Sequence, residues 1–291
     1  MLLRVLPRSQ NLTYNSSEPS EEAAGHCGGM MAGVLAWASL SALLSLVGCP
    51  ACVLVLRELY RRLKAGTPLT PNDFFMLNLT IMDLVFLLFI PFGLCNFLLW
   101  HTSAVQSLSN FLYALNLAGR PLLTACICLD CFLAVVHPVA YHTRKSLTPR
   151  LVMAAVVWAV TAAQGVASVV VEELTHSAWA MTVYAVALPV IVACDLSILR
   201  ALKRSVRAGG RLHPAKKKAL QIITNSVVMT LTSYVPPMLA YVSGDVVMSD
   251  QKVYECFLAI PILVTPTAGS AIMPLLYLGN LGATKGPCCR V

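Results

Sequence analysis

From Leu151 to Val171 the chain carries no charged side chain. One helical crossing of a bilayer needs about 20 predominantly apolar residues. Seven apolar runs of this kind follow one another, at about 30–57, 73–99, 105–136, 150–171, 178–203, 216–242 and 254–279. Inside lipid every backbone N–H and C=O must be satisfied within the protein, so runs of this length read as helices. Composition agrees. The 291 residues are 57% apolar and 12% charged, whereas a soluble domain is about 45–50% apolar and about 25% charged. A soluble enzyme, a disordered chain and a fibrous repeat are excluded, and no polar block is long enough to be a separate soluble domain. The sequence predicts an all-α membrane protein, a seven-transmembrane helix bundle.

Three regions follow. Residues 1–29 form a polar tail with two glycosylation sequons, at Asn11 and Asn15, which are expected to work only outside the cytosol. Residues 30–279 form the bundle, and residues 280–291 a short tail. Met1–Leu6 is too short for a cleaved signal peptide and is interrupted by Arg4, so the first span is expected to act as the signal anchor. With the N-terminus outside, the cytosolic segments and span edges hold 17 Lys and Arg and the outer segments three. That asymmetry predicts an outside N-terminus and a cytosolic C-terminus.

The net charge of +8 has the same origin. The basic residues sit between apolar runs without aromatic interleaving, so a nucleic-acid partner is not implied. Seven of the 11 Cys lie in apolar runs, where Cys behaves as a small hydrophobe. No zinc spacing, no His pair at ligand spacing, no Ser/His/Asp set, no HExxH and no phosphate loop appears, which argues against an enzyme, a metal and a cofactor. A small transporter or channel would more often show ten or more spans and internal repeats.

The motifs in order resemble those of the rhodopsin-like G-protein-coupled receptors. Leu77-Asn78-Leu79-Thr80-Ile81-Met82-Asp83 is similar to the second-helix motif. Asp130-Cys131-Phe132-Leu133-Ala134-Val135-Val136-His137-Pro138 is similar to the end of the third. Trp158 and Pro189 match the fourth and fifth helices, Ser233-Tyr234-Val235-Pro236 the sixth, and Met273-Pro274-Leu275-Leu276-Tyr277 the seventh. The flavour is that of the purinergic, protease-activated and chemokine branch. The resemblance implies a switch core of Asp83, Arg120, Asp130, Cys131, Tyr234, Pro236, Pro274 and Tyr277.

The departures are specific. Cys131 replaces the family's Arg, Cys52 the first-helix Asn, Met273 the seventh-helix Asn or Asp, and Ser197 the fifth-helix Tyr. Gln106 occupies the third-helix end of the family disulfide, and residues 171–193 contain no Cys for its other end. Arg120 stands at the depth of Asp83, where the family holds a small polar residue beside a sodium ion. An unpaired Arg there costs at least ~2.5–3.5 kcal/mol on insertion scales. Asp83 is the expected partner, with the guanidinium replacing sodium; a backbone carbonyl, Asn116 or trapped water are the alternatives. Asp195, in the fifth span, reads either as a latch to Lys216 or Lys217 or as a carboxylate reaching cytosolic water.

Cys27 and Cys256 fall on the outer side, where an oxidising compartment allows a bond. The resemblance implies a tail-to-helix bridge that some peptide receptors carry. Cys288 and Cys289 follow the last span and read as palmitoylation sites, or as idle cytosolic thiols. The resemblance places the ligand pocket among Asn110, Tyr113, Leu117, Met181, Met238, Tyr241 and Leu263. Those residues would serve equally as bundle packing. With Tyr113 where amine receptors of the family carry an Asp, and no Lys or Arg in the outer halves of the third, sixth or seventh spans, the pocket suits an apolar ligand or a hydrophobic peptide end.

The resemblance implies a multi-pass receptor at the plasma membrane that passes an extracellular ligand signal to heterotrimeric G proteins. A signalling-deficient decoy or partner protein is the alternative, on the strength of the altered switch positions.

Overall fold

The computed structural model describes residues 22–66, 70–143, 147–170, 175–207, 214–239 and 264–284, with side chains in the first helix described from Leu35 onward. All regular structure among them is helical. The helices are α1 (Glu22–Lys64), α2 (Pro71–Cys95), α3 (Ser103–Val136), the short α4 (Pro138–Thr143), α5 (Thr148–Val170), α6 (Thr175–Arg207), α7 (Pro214–Met229) and α8 (Val264–Thr284). Five of the described helices are long and apolar enough to cross a membrane: Leu35–Lys64, Asn72–Trp100, Ser103–Val136, Thr148–Val170 and Met181–Lys203.

Helix ends extend past the apolar runs for a local reason. α1 ends with Arg61, Arg62 and Lys64 in its last turn, where cations meet the negative end of the helix dipole. α2 begins with a capping box. The Thr70 side chain accepts the Asp73 backbone N–H at 3.3 Å, and Asp73 Oδ2 accepts the Thr70 N–H at 3.3 Å. This satisfies two orphan donors at once.

Two helices pass into a π turn. α2 continues into Asn96–Trp100 and α7 into Thr230–Tyr234. The second turn explains how Pro236 and Pro237 sit in a helix that continues over 235–239. The Val235 N–H reaches back five residues to the Thr230 carbonyl. The register is reset before the first N–H is lost to Pro, a local adjustment of the kind that lets membrane helices hold Pro.

α3 is the central helix. It packs on α2, α5 and α6, while α8 lies along α1 and α7 touches α3, α6 and α8. The main core gathers Leu79, Met82, Leu123, Ile127, Ile191 and Met229 with their neighbours. Many large apolar side chains, among them Leu46, Val170 and Val186, face outward, as lipid-facing positions do.

Candidate functional site

Four polar groupings stand inside this apolar frame. The deepest joins α2, α3 and α8. Asp83, Asn116, Arg120 and Ser270 are all buried, none more than 2% exposed. One terminal NH₂ of Arg120 is ion-paired with Asp83 Oδ1 and also donates to Ser270 Oγ at 3.0 Å. Asn116 Nδ2 donates to Asp83 Oδ1 and to Ser270 Oγ, each at 3.2 Å. The partner of Arg120 is thus Asp83, and Asn116 joins as a second donor. Asp83 Oδ2 and Arg120 Nε have no hydrogen-bond partner. The fit against α8 depends on Gly269. A Cβ there would lie 2.6 Å from Ser233 Oγ and 3.1 Å from the Arg120 guanidinium.

Directly below, Tyr234 is buried. Its hydroxyl lies 2.7 Å from Thr124 Oγ1 and its ring stands edge-on to Tyr184 at 6.0 Å. These contacts hold the π-turned helix α7 against α3 and α6.

The third grouping lies at the end of α3. Asp130 Oδ1 accepts Arg150 Nε at 2.9 Å, and Asp130 Oδ2 accepts the Tyr141 hydroxyl at 3.0 Å. The Arg150 guanidinium also lies over the Tyr141 ring, 5.2 Å from its centre. Burial and the Asp130 carboxylate push the Tyr141 hydroxyl up to about 12. Cys131 instead turns into an apolar cluster with Ile198, Leu202, Ala219 and Ile223.

The fourth grouping ties α8 to the start of α2. The Tyr277 hydroxyl donates to Asp73 Oδ1 at 2.8 Å. Arg62 approaches the other oxygen of the same carboxylate at 3.8 Å. Pro274 lies inside α8 and Met273 packs in the main core.

Asp195 corrects the reading of a carboxylate in cytosolic water, while the side chains of Lys216 and Lys217, partners in the other reading, lie outside the described residues. It is 6% exposed, so it does not reach water. Its hydrogen-bond partners are Ser226 and Cys128, and the Cys128 thiol donates to Ser226 Oγ at 3.3 Å. No ion pair to it occurs among the described residues. Its Oδ1 is unpartnered.

Five of the predicted pocket residues lie among the described residues. Leu117 and Met181 pack against the main core. Asn110 accepts Gln106 Nε2 at 3.2 Å. Met238 is half-buried. Tyr113 lines a cavity that lies towards α1 and α2. Tyr241, Leu263, Asn11, Asn15, Cys256, Cys288 and Cys289 lie outside the described residues, as does the side chain of Cys27.

Sequence reasoning overlooked Asp73, Asn96, Tyr141 and Arg150. The spacing Thr70-x-x-Asp73 ahead of an apolar run was the available signal for the first. Arg150 reads in sequence only as one of the 17 Lys and Arg of the cytosolic segments and span edges. Asn96 had no local signal: its side chain exchanges hydrogen bonds with the Thr102 backbone at 2.8 and 3.1 Å, closing the turn from α2 to α3.

The model of the seven-transmembrane receptor, rhodopsin family, matches residues 51–178. The chain is 26% identical over 200 residues to G-protein coupled receptor 15 of Mus musculus, covering 59% of this chain and 56% of that one. It is 29% identical over 196 residues to the uracil nucleotide/cysteinyl leukotriene receptor of Homo sapiens, covering 57% and 51%. For the protein of that name in Rattus norvegicus the identity is 28% over 244 residues, covering 72% and 69%. The chain thus spans about half the length of the first two relatives. The relatives are receptors rather than enzymes. Taken with the ordered motif positions on α2, α3, α5, α6, α7 and α8, these matches show a chain similar to the rhodopsin-like seven-transmembrane receptors.

Proposed function

We propose that the chain is a plasma-membrane receptor that couples an extracellular ligand to a heterotrimeric G protein. Its glycosylated tail, residues 1–29, lies outside, and residues 280–291, palmitoylated at Cys288 and Cys289, lie in the cytosol. The Lys and Arg asymmetry supports this orientation. The ligand is apolar, or the hydrophobic end of a peptide. A nucleotide, as in the name of one relative, is not carried over, because the outer halves of the third, sixth and seventh spans carry no Lys or Arg for its phosphates.

The observation that carries the reading is the joining of the switch positions across helices. Asp83, Arg120 and Ser270 link α2, α3 and α8. Tyr234 links α7 to α3, and Tyr277 links α8 to α2. A ligand that favours another arrangement of α6, α7 and α8 shifts the population of the bundle by its differential affinity for the two states. The cytosolic end responds without the usual Arg. Its place is taken by the apolar cluster around Cys131, while Asp130 is held by Arg150.

The test is G-protein activation in cells expressing wild type and Cys131→Arg at matched surface levels. Wild-type activation above mock-transfected cells is the expected result. A silent wild type beside an active Cys131→Arg overturns native coupling and leaves a signalling-deficient partner protein.

A further inference from the structure

We infer that Asp195 is a proton-binding site that ties closure of one end of the bundle to pH: the acid holds a proton while α7 is packed on α3 and α6, and gives it up when α7 moves away. The movement rests on the switching receptor proposed above; the proton does not.

The site is built from three helices. Asp195 lies in α6, eight residues before Lys203, where the apolar span ends, or about 12 Å at 1.5 Å per residue. Its hydrogen-bond partners are Ser226 of α7 and Cys128 of α3, and the Cys128 thiol lies 3.3 Å from Ser226 Oγ. Asp195 is 6% exposed, Ser226 2% and Cys128 0%. One turn nearer the Lys- and Arg-rich end, an apolar layer of Cys131, Ile198, Leu202, Ala219 and Ile223 joins the same three helices and keeps water from the acid.

The balance of charge assigns the proton. Ser226 and Cys128 are neutral partners, and Asp195 Oδ1 has none. No cation pairs with the acid among the described residues. An ionised carboxylate there is an unpaired buried charge, which is heavily penalised, whereas a carboxylic acid carries no charge to bury.

The titratable groups around it leave that balance in place. α3 brings the thiols of Cys128 and Cys131, and the carboxylate of Asp130, which is held by Arg150 and Tyr141. α5 carries one charged residue, Arg150, already committed to Asp130. On α6 Cys194 precedes the acid, and Arg200 and Lys203 are exposed. On α7 Lys216, Lys217 and Lys218 stand eight residues or more before Ser226, about 12 Å or more along the helix; their side chains lie outside the described residues.

Linkage gives the sign. When α7 moves off, Ser226 and the apolar layer leave, water reaches Asp195, and the acid ionises at neutral pH as an exposed Asp does. The closed state thus binds one proton more than the open state. Acid pH favours closure and alkaline pH favours opening, by up to about tenfold in the open-to-closed ratio per pH unit.

The experiment uses the full chain in maltoside micelles, which carry no ester carbonyl. At neutral pH the infrared difference between wild type and Asp195→Asn should show the C=O stretch of one protonated carboxylic acid. Ser226→Ala should shift that band and keep it, a reading that stands even where Asp195→Asn does not fold. Hydrogen exchange along α7 is then compared between wild type and Asp195→Asn at each pH. The variant keeps the shape of the side chain and has no proton to lose. From about pH 5 to about pH 9 the protection of wild type relative to the variant should fall, by up to about tenfold per unit. Absence of the acid band, or a band that ignores Ser226→Ala, overturns the proton site. A band together with a protection ratio flat in pH overturns its link to closure. Neither reading uses a ligand or a G protein, so a chain that is silent in cells leaves both intact.

Discussion

Arg150 of α5 donates Nε to Asp130 Oδ1 at 2.9 Å, so the carboxylate in the last turns of α3 is held by a neighbouring helix. The Tyr141 hydroxyl completes the clamp from α4. The guanidinium missing from the third-helix motif is supplied by the next span, and it ties α3 to α5 where the motif would leave an Arg facing the cytosolic cleft. Arg150→Ala leaves Asp130 mostly buried with one neutral partner. Breaking a buried pair costs about 3–5 kcal/mol. Asp130 is 9% exposed, so the expected loss is at the low end. The fall in apparent Tm of the purified protein checks it.

Tyr141 gives the clamp a pH dependence. Its hydroxyl is pushed up to about 12, by burial first and then by the Asp130 carboxylate. A phenol raised above its unfolded pKa of about 10 stabilises the fold fully below about pH 10. That contribution is lost as pH rises through about 12, and no change is expected between pH 6 and 9. Phenolate absorbance in wild type and Tyr141→Phe should differ by one titration near pH 12. A midpoint near 10 for that difference contradicts the clamp.

At the membrane centre, Asp83→Asn should cost about 3–5 kcal/mol, because it strands the Arg120 charge. Arg120→Leu alone should be comparably damaging, since Asp83 is then unpaired. The double variant Asp83→Asn with Arg120→Leu should recover part of the loss, as replacing a buried pair by matched neutral groups often does. Surface expression and thermal stability of the four proteins form a double-mutant cycle. Additive losses would show that the two side chains are not coupled.

The same pair predicts insensitivity to sodium. Arg120 carries a fixed charge against Asp83, leaving no net carboxylate charge to attract a cation. Apparent Tm should match in sodium chloride and choline chloride at equal ionic strength. Stabilisation by sodium specifically would be inconsistent with the guanidinium in that place.

Tyr277→Phe removes one hydrogen bond to an acidic group, worth about 1.5–3 kcal/mol, and leaves the Thr70–Asp73 capping box in place. Hydrogen exchange should therefore quicken in α8 around Pro274 more than at the start of α2. Equal quickening in both would mean that Asp73 itself depends on Tyr277.

The apolar runs made the all-helical class and the membrane setting legible, because lipid leaves a charge-free run of this length little choice but a helix. The demand that an intramembrane charge find a partner pointed from Arg120 to Asp83, the acid at the same depth. Boundaries were less legible. α1 runs to Lys64 and α8 to Thr284, since hydrogen bonding and the helix dipole carry a helix past its apolar stretch. Tertiary packing decided what local chemistry could not. Arg150 looked like one more cytosolic cation until α3 and α5 brought it onto Asp130, 20 residues earlier. Asp195 looked like an edge carboxylate until α3 and α7 closed over it. The cavity beside Tyr113 exists only where the faces of three helices meet. Sequence sets which residues must leave water; the meeting of faces far apart in the chain sets which of them become partners.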